Sequence, residues 1–324
     1  MNMLISFKQN YTEKSFRYGG IDLLKHLLAF FVIFQHMSSE SRYSSELNSF
    51  IQEIVSYIGG AVMGFFLISG FFFRPSETIK LSVSKIFKRM MLPFFIFSLL
   101  YAILMWLLGK GNLKDGLWQT VTLHGAGMQL YYLSYLFVIS SAYMILSFFA
   151  KKINVSFNYI LSIILVISFV TSLFLPTLSP TGSDYRLFPI YVLCFGIGIS
   201  FSILKKKSYQ KFYFLVMGVI VASFLIGIFD YRFYHLSFVS FLLLCAYFIS
   251  INVKSVQKNF HGSGGIYLLH TPIVNFTISS LLMMIGLSGY LNLFSSLLLT
   301  YIICLIVTLL FIRYLPFYKW VFLE

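Results

Sequence analysis

Three ionisable residues share one stripe of an otherwise apolar run near the start of the chain: Asp22, Lys25 and His36. With Ala29 and Val32 between them, they recur at steps of three or four residues and so occupy one helical face. Lys25 and His36 then stand about 16 Å apart along the axis. Charged or titratable groups within a membrane helix are received by a bundle interior or an aqueous cavity and mark functional sites. An imidazole near neutrality is suited to take a proton from a hydroxyl, and a cation one level away could hold an anionic substrate. The bland reading is that Asp22 and Lys25 form a juxtamembrane ion pair while His36 anchors the helix at the headgroups.

Three further segments carry candidate chemistry. Phe65-Phe66-Leu67-Ile68-Ser69-Gly70-Phe71-Phe72-Phe73-Arg74 places a small-residue notch among aromatics; small residues let helices approach closely, and packing is the expected role of Ser69. Lys85-Ile86-Phe87-Lys88-Arg89, shortly before Pro93, gathers cations ahead of another apolar run. It reads either as ordinary topology charge or as a phosphate clamp, in which arginine binds bidentately and lysine as a point charge. His261-Gly-Ser-Gly-Gly-Ile-Tyr267-Leu-Leu-His270-Thr-Pro272 puts a histidine and a proline inside a late apolar run. There Pro272 would free a backbone carbonyl. His270 is either a buried polar kink or, with Tyr267, part of a cofactor site.

The elements that must position these residues follow from composition. With 59% hydrophobic residues, 10% charged and 38 Phe in 324 residues, the chain cannot dress a soluble core in a polar skin. It reads as a polytopic, all-α membrane bundle. A span needs roughly 20 mostly apolar residues, and ten such stretches lie near 21–39, 54–73, 91–109, 130–149, 156–175, 188–204, 212–229, 233–251, 265–286 and 291–313. They leave short loops and one domain over 1–324, of which 1–20 is a cytoplasmic N-terminal segment. The longest exterior stretches, about 38–53, 110–129 and 176–187, could roof an outward-facing site. No internal repeat or linker stands out. Cleavage of the first span as a signal peptide is not expected, because Asp22, Lys25 and His26 interrupt it and no small-x-small site follows.

The net charge of +14 is distributed as membrane topology requires. With the N-terminus inside, Lys8, Lys14, Arg17, Arg74, Lys80, Lys85, Lys88, Arg89, Lys151 and Lys152 fall on the cytoplasmic side, as do Lys205, Lys206, Lys207, Lys211, Lys254, Lys258, Arg313 and Lys319. Only Arg42, Lys110, Lys114, Arg186 and Arg232 fall outside. This asymmetry obeys the positive-inside rule for both termini in the cytoplasm of a multi-pass cell-membrane protein. It argues against nucleic acid as the partner. Cys194, Cys245 and Cys304 lie inside expected spans, so no disulfide framework is indicated.

The Asp22 to His36 spacing, the Phe-Phe-Leu-Ile-Ser-Gly-Phe segment, the basic run ending at Pro93 and Ile266-Tyr-Leu-Leu-His-Thr-Pro occur in the order found in one family. The chain resembles the acyltransferase-3 family of ten-span membrane acyltransferases over nearly its whole length. That resemblance implies transfer of an acyl group, usually acetyl, from cytoplasmic acyl-coenzyme A to a hydroxyl of a surface glycan. By position, His36 matches the first-span histidine of transfer, Lys25 takes the place of an arginine, and Arg89 matches the second cation of an Arg-x-x-Arg pair. Ile86 stands where the first arginine would be, so Lys85 or Lys88 must substitute, though lysine lacks the bidentate fork. Tyr131 and Tyr132 fall where an aromatic pair is common and are expected to anchor at the interface.

The implied site therefore comprises His36, Glu40, Asp22 and Lys25 for chemistry, and Lys85, Lys88, Arg89, Arg74, Tyr267 and His270 for the donor, acetyl-CoA, with no metal or resident cofactor. Glu40, Asp230, Asp184 and Glu53 are the candidates to orient His36. A covalent acyl-histidine and direct transfer both stay open. The implied acceptor is a capsular or related cell-surface polysaccharide, and the oligomeric state, a homo-oligomer included, stays open. The rival reading is a transporter or flippase of a glycan or small solute, which calls for repeated halves with interrupted spans in matching positions.

Overall fold

A computed structural model describes residues 18–38, 42–74, 78–175, 184–203, 210–253 and 261–314, and all regular structure among them is helical. The first helix, α1 (Gly19–Gln35), ends at His36. It is followed by α2 (Ser45–Ile58), which Ser44 caps by accepting from Leu47 N–H at 3.3 Å, and by α3 (Ala61–Phe71). Next come α4 (Ile79–Ile86), a π-helical turn at Phe87–Met91 and α5 (Leu92–Leu107). The widened turn has a local cause: Pro93 has no N–H for the carbonyl one turn back, and the ladder loosens just ahead of it. After α6 (Leu113–Val121) and a 3-10 turn at Met128–Leu130, the long helices α7 (Tyr131–Lys152), α8 (Phe157–Phe174) and α9 (Phe188–Ile203) follow. The chain continues through α10 (Gln210–Ile226), α11 (Tyr231–Asn252), α12 (Ser263–Leu269), a second π-helical turn (His270–Val274), α13 (Asn275–Met284) and α14 (Gly289–Tyr314).

Among the described residues, seven helical stretches are long and apolar enough to cross a membrane: Ser45–Phe71, Ile79–Leu107, Tyr131–Lys152, Phe157–Phe174, Tyr185–Ile203, Tyr231–Asn252 and Gly289–Tyr314. The other three expected spans correspond to α1, to α10 and to the pair α12–α13, which are shorter or broken. The ninth is interrupted at Thr271, whose backbone is extended (φ −131°, ψ 151°).

Helices α3 and α9 form the centre. In their stretches 67% of the apolar window is buried, against 22% for Phe157–Phe174 and 28% for Gly289–Tyr314, which turn large side chains outward. A helix apolar on every side belongs in such an interior. Glycine makes the contact possible: a side chain at Gly70 would collide with the Phe195 carbonyl, and one at Gly198 with the carbonyl of Leu67. The obstructing atoms are backbone and cannot swing aside. The notch at Ser69-Gly70 therefore packs helix on helix.

Two expected exterior stretches take a definite form. Most of 38–53 and the residues after it build α2, whose Gln52 reaches back to Ser38 at 3.1 Å. The 110–129 stretch does not simply skirt the surface. It forms α6, is tied to α5 where Ser98 Oγ accepts from Ala126 N–H at 2.8 Å, turns at Gly125 in the left-handed region (φ +80°) and buries Gln129 in the bundle.

Replacing Gly198 by Ala should lower the unfolding temperature of detergent-solubilised protein by several degrees, since overpacking costs about 1–3 kcal/mol. The same change at Gly218 of α10, where an added methyl meets nothing within 4 Å, should be neutral or mildly stabilising. Thermal unfolding of the two variants side by side checks this.

Candidate active site

One end of the bundle opens into a cavity of about 630 Å³, within the range of small-molecule sites. Its mouth collects Lys25 from α1, Arg74 from the end of α3, Lys85 from α4 and Arg89 from the first π-helical turn, with His261 from the start of the broken helix. Asp22 is the one carboxylate among the described lining residues. It is held by Lys25 at 2.8 Å, and the Lys25 ammonium also lies 5.0 Å from the Phe72 ring. Arg74 donates to the Phe73 carbonyl at 2.7 Å and to Phe71 and Ser202 at 3.2 Å, and burial lowers its pKa from the ordinary value. Cations around low-dielectric walls concentrate a polyanion at such a mouth.

The deep wall is aromatic. Phe65, Tyr132 and Tyr267 meet with ring centroids 5.9, 5.4 and 5.2 Å apart. Tyr267 donates to the Gln129 carbonyl at 2.8 Å, and the Tyr132 and Ser69 hydroxyls are 3.2 Å apart. Immediately behind Tyr267, 6.1 Å between centroids, stands His270, and His270 lies 5.3 Å from His36. The cavity, the aromatic wall and the imidazole pair therefore form one continuous sequence across the bundle.

His270 has a defined tautomer. Its Nδ1 faces two carbonyls, Tyr267 at 2.8 Å and Ile266 at 3.2 Å, so Nδ1 carries the proton and Nε2 keeps a lone pair. That Nε2 is buried with no hydrogen-bond partner. The break in the helix fixes its position: Pro272 has no N–H for the Leu268 carbonyl, and Tyr101 and Gln129 supply the missing donors. The Tyr101 hydroxyl donates to Leu268, and Gln129 Nε2 donates to Leu268 at 3.3 Å and to Thr271 at 2.6 Å. On the other side, Asn275 Nδ2 donates to the His36 carbonyl at 2.9 Å and so secures the end of α1.

Against the sequence reading, Lys25, Arg74, Lys85, Arg89 and Tyr267 do come together around the cavity, whereas Lys88 is exposed and is not among its lining residues. Asp22 and Lys25 pair at the mouth, roughly 21 and 16 Å along α1 from His36, and lie outside hydrogen-bond reach of its ring. His270 does not line this cavity and lies instead beside His36. Tyr132, expected at an interface, is buried in the cavity floor, and Tyr131 is buried as well.

The expected orienting carboxylates are engaged or turned away. Asp184 accepts from Arg186 at 2.8 Å, Asp230 accepts from Arg232 at 2.5 Å, and Glu53 is exposed. Glu40 lies outside the described residues. No carboxylate among the described residues hydrogen-bonds the His36 ring. Gln129, Tyr101 and Asn275 were missed from sequence, although an unmet carbonyl beside Pro272 does call for buried donors.

Searches of curated proteins and of solved structures returned no match. A family model described as an acyltransferase domain matches residues 18–315, essentially the whole chain, with the imidazole pair and the basic cavity both inside the match. The protein belongs to the acyltransferase-3 family and is a membrane acyltransferase.

Proposed function

We propose that the protein is an O-acetyltransferase of the cell membrane, moving acetyl from cytoplasmic acetyl-CoA to a hydroxyl of a capsular or other cell-surface polysaccharide. The observation that carries this reading is a cationic cavity ending at an aromatic wall with an imidazole pair directly behind it. In this reading the basic end faces the cytoplasm, in keeping with the charge asymmetry of the loops. Lys25, Arg74, Lys85 and Arg89 receive the phosphates of the donor. The space between Phe65, Tyr132 and Tyr267 admits its thioester arm once the rings part, and otherwise keeps water from the thioester.

His36 takes the proton of the acceptor hydroxyl as that oxygen attacks the thioester carbonyl. The tetrahedral intermediate collapses, the carbon–sulfur bond breaks, and the departing thiolate takes up the proton His36 holds. The His270 lone pair at Nε2 is a fixed acceptor beside this exchange: it can hold the acceptor hydroxyl or a proton on the neighbouring ring. Because the Nδ1 proton of His270 is tied to two carbonyls, its ring cannot turn away.

The broken helix alone favours the transporter reading. A matching break in the first half of the chain is missing among the described residues, where the other π-helical turn, Phe87–Met91, keeps helical geometry at its flanks.

His36→Ala should abolish acetylation while leaving the amount of surface polysaccharide unchanged. Proton magnetic resonance of the purified glycan checks this through loss of its acetyl methyl signals; a changed amount of fully acetylated glycan would move the assignment to transport. Arg89→Ala should raise the KM for acetyl-CoA roughly five- to tenfold with little change in kcat, the loss of one phosphate contact. Initial rates at varied acetyl-CoA measure this split, and the wild-type KM should rise with added salt.

A further inference from the structure

Arg42, between α1 and α2, has Nε, Nη1 and Nη2 all out of solvent and without a hydrogen-bond partner. Its guanidinium carbon lies 4.2 Å from the centre of the Phe276 ring and 5.9 Å from that of Tyr43. An aromatic face offsets part of the desolvation of a cation but accepts none of the five N–H groups in the conventional sense. Burial lowers the pKa of Arg42 from its ordinary value, with the neighbouring Tyr43 acting in the opposite direction. The carboxylates of Glu46 and Glu53 on α2 make no ion pair with it. Buried polar groups are almost always satisfied, and one left open in a built position needs an explanation.

The position is built. Tyr43 is anchored through its hydroxyl to Asn292 at 3.0 Å and Ser279 at 3.2 Å. Phe276 follows Asn275, whose amide nitrogen holds the His36 carbonyl and whose Oδ1 is also buried and unpartnered. Beyond His36 in the chain a guanidinium thus lacks acceptors, and beside the imidazole pair two acceptors, Asn275 Oδ1 and His270 Nε2, lack donors; Phe276, which Arg42 overlies, is the residue next to Asn275. We infer that this is the acceptor subsite, in which Arg42 binds a carboxylate or phosphate of an anionic glycan while Asn275 and His270 receive its hydroxyls. Arg42 is then a specificity residue for acidic acceptors and takes no part in bond making. The inference rests on the acetyltransferase reading for what happens next, but binding of the acidic glycan does not require transfer.

The test compares a glucuronic-acid-containing tetrasaccharide with its carboxyl-reduced counterpart, using full-length protein in neutral detergent with and without anionic phospholipid. Binding is followed by tryptophan fluorescence and transfer by acetyl incorporation, for wild type, Arg42→Met and Arg42→Lys. Methionine keeps the apolar contact with Phe276 and removes an unpaired charge, so this variant should unfold at the wild-type temperature or above. The expected result is wild-type preference for the acidic tetrasaccharide by about tenfold or more in affinity and KM. Arg42→Met should lose that preference, its KM for the acidic tetrasaccharide rising to that for the carboxyl-reduced one, and Arg42→Lys should retain part of it. Equal binding of the two tetrasaccharides by wild type, or a preference that survives in Arg42→Met, overturns the inference. So does a requirement for anionic phospholipid that depends on Arg42 and ignores acceptor charge, which would assign the guanidinium to a lipid headgroup. Arg42-dependent binding without any acetyl transfer supports the anion subsite and sinks the acetyltransferase reading instead.

Discussion

A carbonyl without a donor is intolerable in the hydrocarbon region, and the arrangement around Pro272 follows from that constraint. With no water to satisfy them, freed backbone groups must find protein donors. Here the donors are Tyr101 and Gln129, which close on Leu268 and Thr271. The repair explains why a stretch expected to be an exterior loop sends Gln129 into the interior. It also fixes His270, because the same broken segment offers the Tyr267 and Ile266 carbonyls to His270 Nδ1. The Ile266 carbonyl also accepts from the His270 backbone N–H, so one turn holds both the backbone and the ring of His270.

The same break separates two environments. On one side, cations from α1, the end of α3, α4 and the first π-helical turn share a cavity; on the other, the His36–His270 pair lies beside Asn275 and the carbonyls of Ile266 and Tyr267. The rings of Phe65, Tyr132 and Tyr267 stand between. In the proposed reaction, electrostatic attraction of a polyanion and proton transfer at an alcohol call for opposite settings, charged and wet for the first, dry for the second. The aromatic wall allows both within one bundle, and Tyr267 touches both sides.

Much of this was legible in the residues. The apolar runs and loop charges specified an all-helical membrane protein, and four motifs in register specified its family. His36 stood out because an imidazole in an apolar stripe demands a reason. For His270 the residues left a buried polar kink and a cofactor role open; packing buries it beside His36 and outside the lining of the basic cavity. Asp184 and Asp230 could not be dismissed from sequence, since their engagement with Arg186 and Arg232 two residues on depends on turn geometry at helix starts. Tyr132 was assigned to an interface by an average preference of its residue type, which packing against Phe65 and Tyr267 overrode.

Sequence alone determined what has to be satisfied: how many residues must avoid water, where a proline withdraws a donor, which residues can move a proton or hold a phosphate. Those are properties of single side chains and of short-range periodicity. The tertiary structure decided which partners meet these demands: Gln129 for the broken helix, His270 for His36, Asn275 for the end of α1, and none from the described protein for Arg42. Such pairings join residues up to 239 positions apart, and no local pattern encodes them, because the approach of α3 to α9 and the path of the loop carrying Gln129 are set by close packing of the whole bundle.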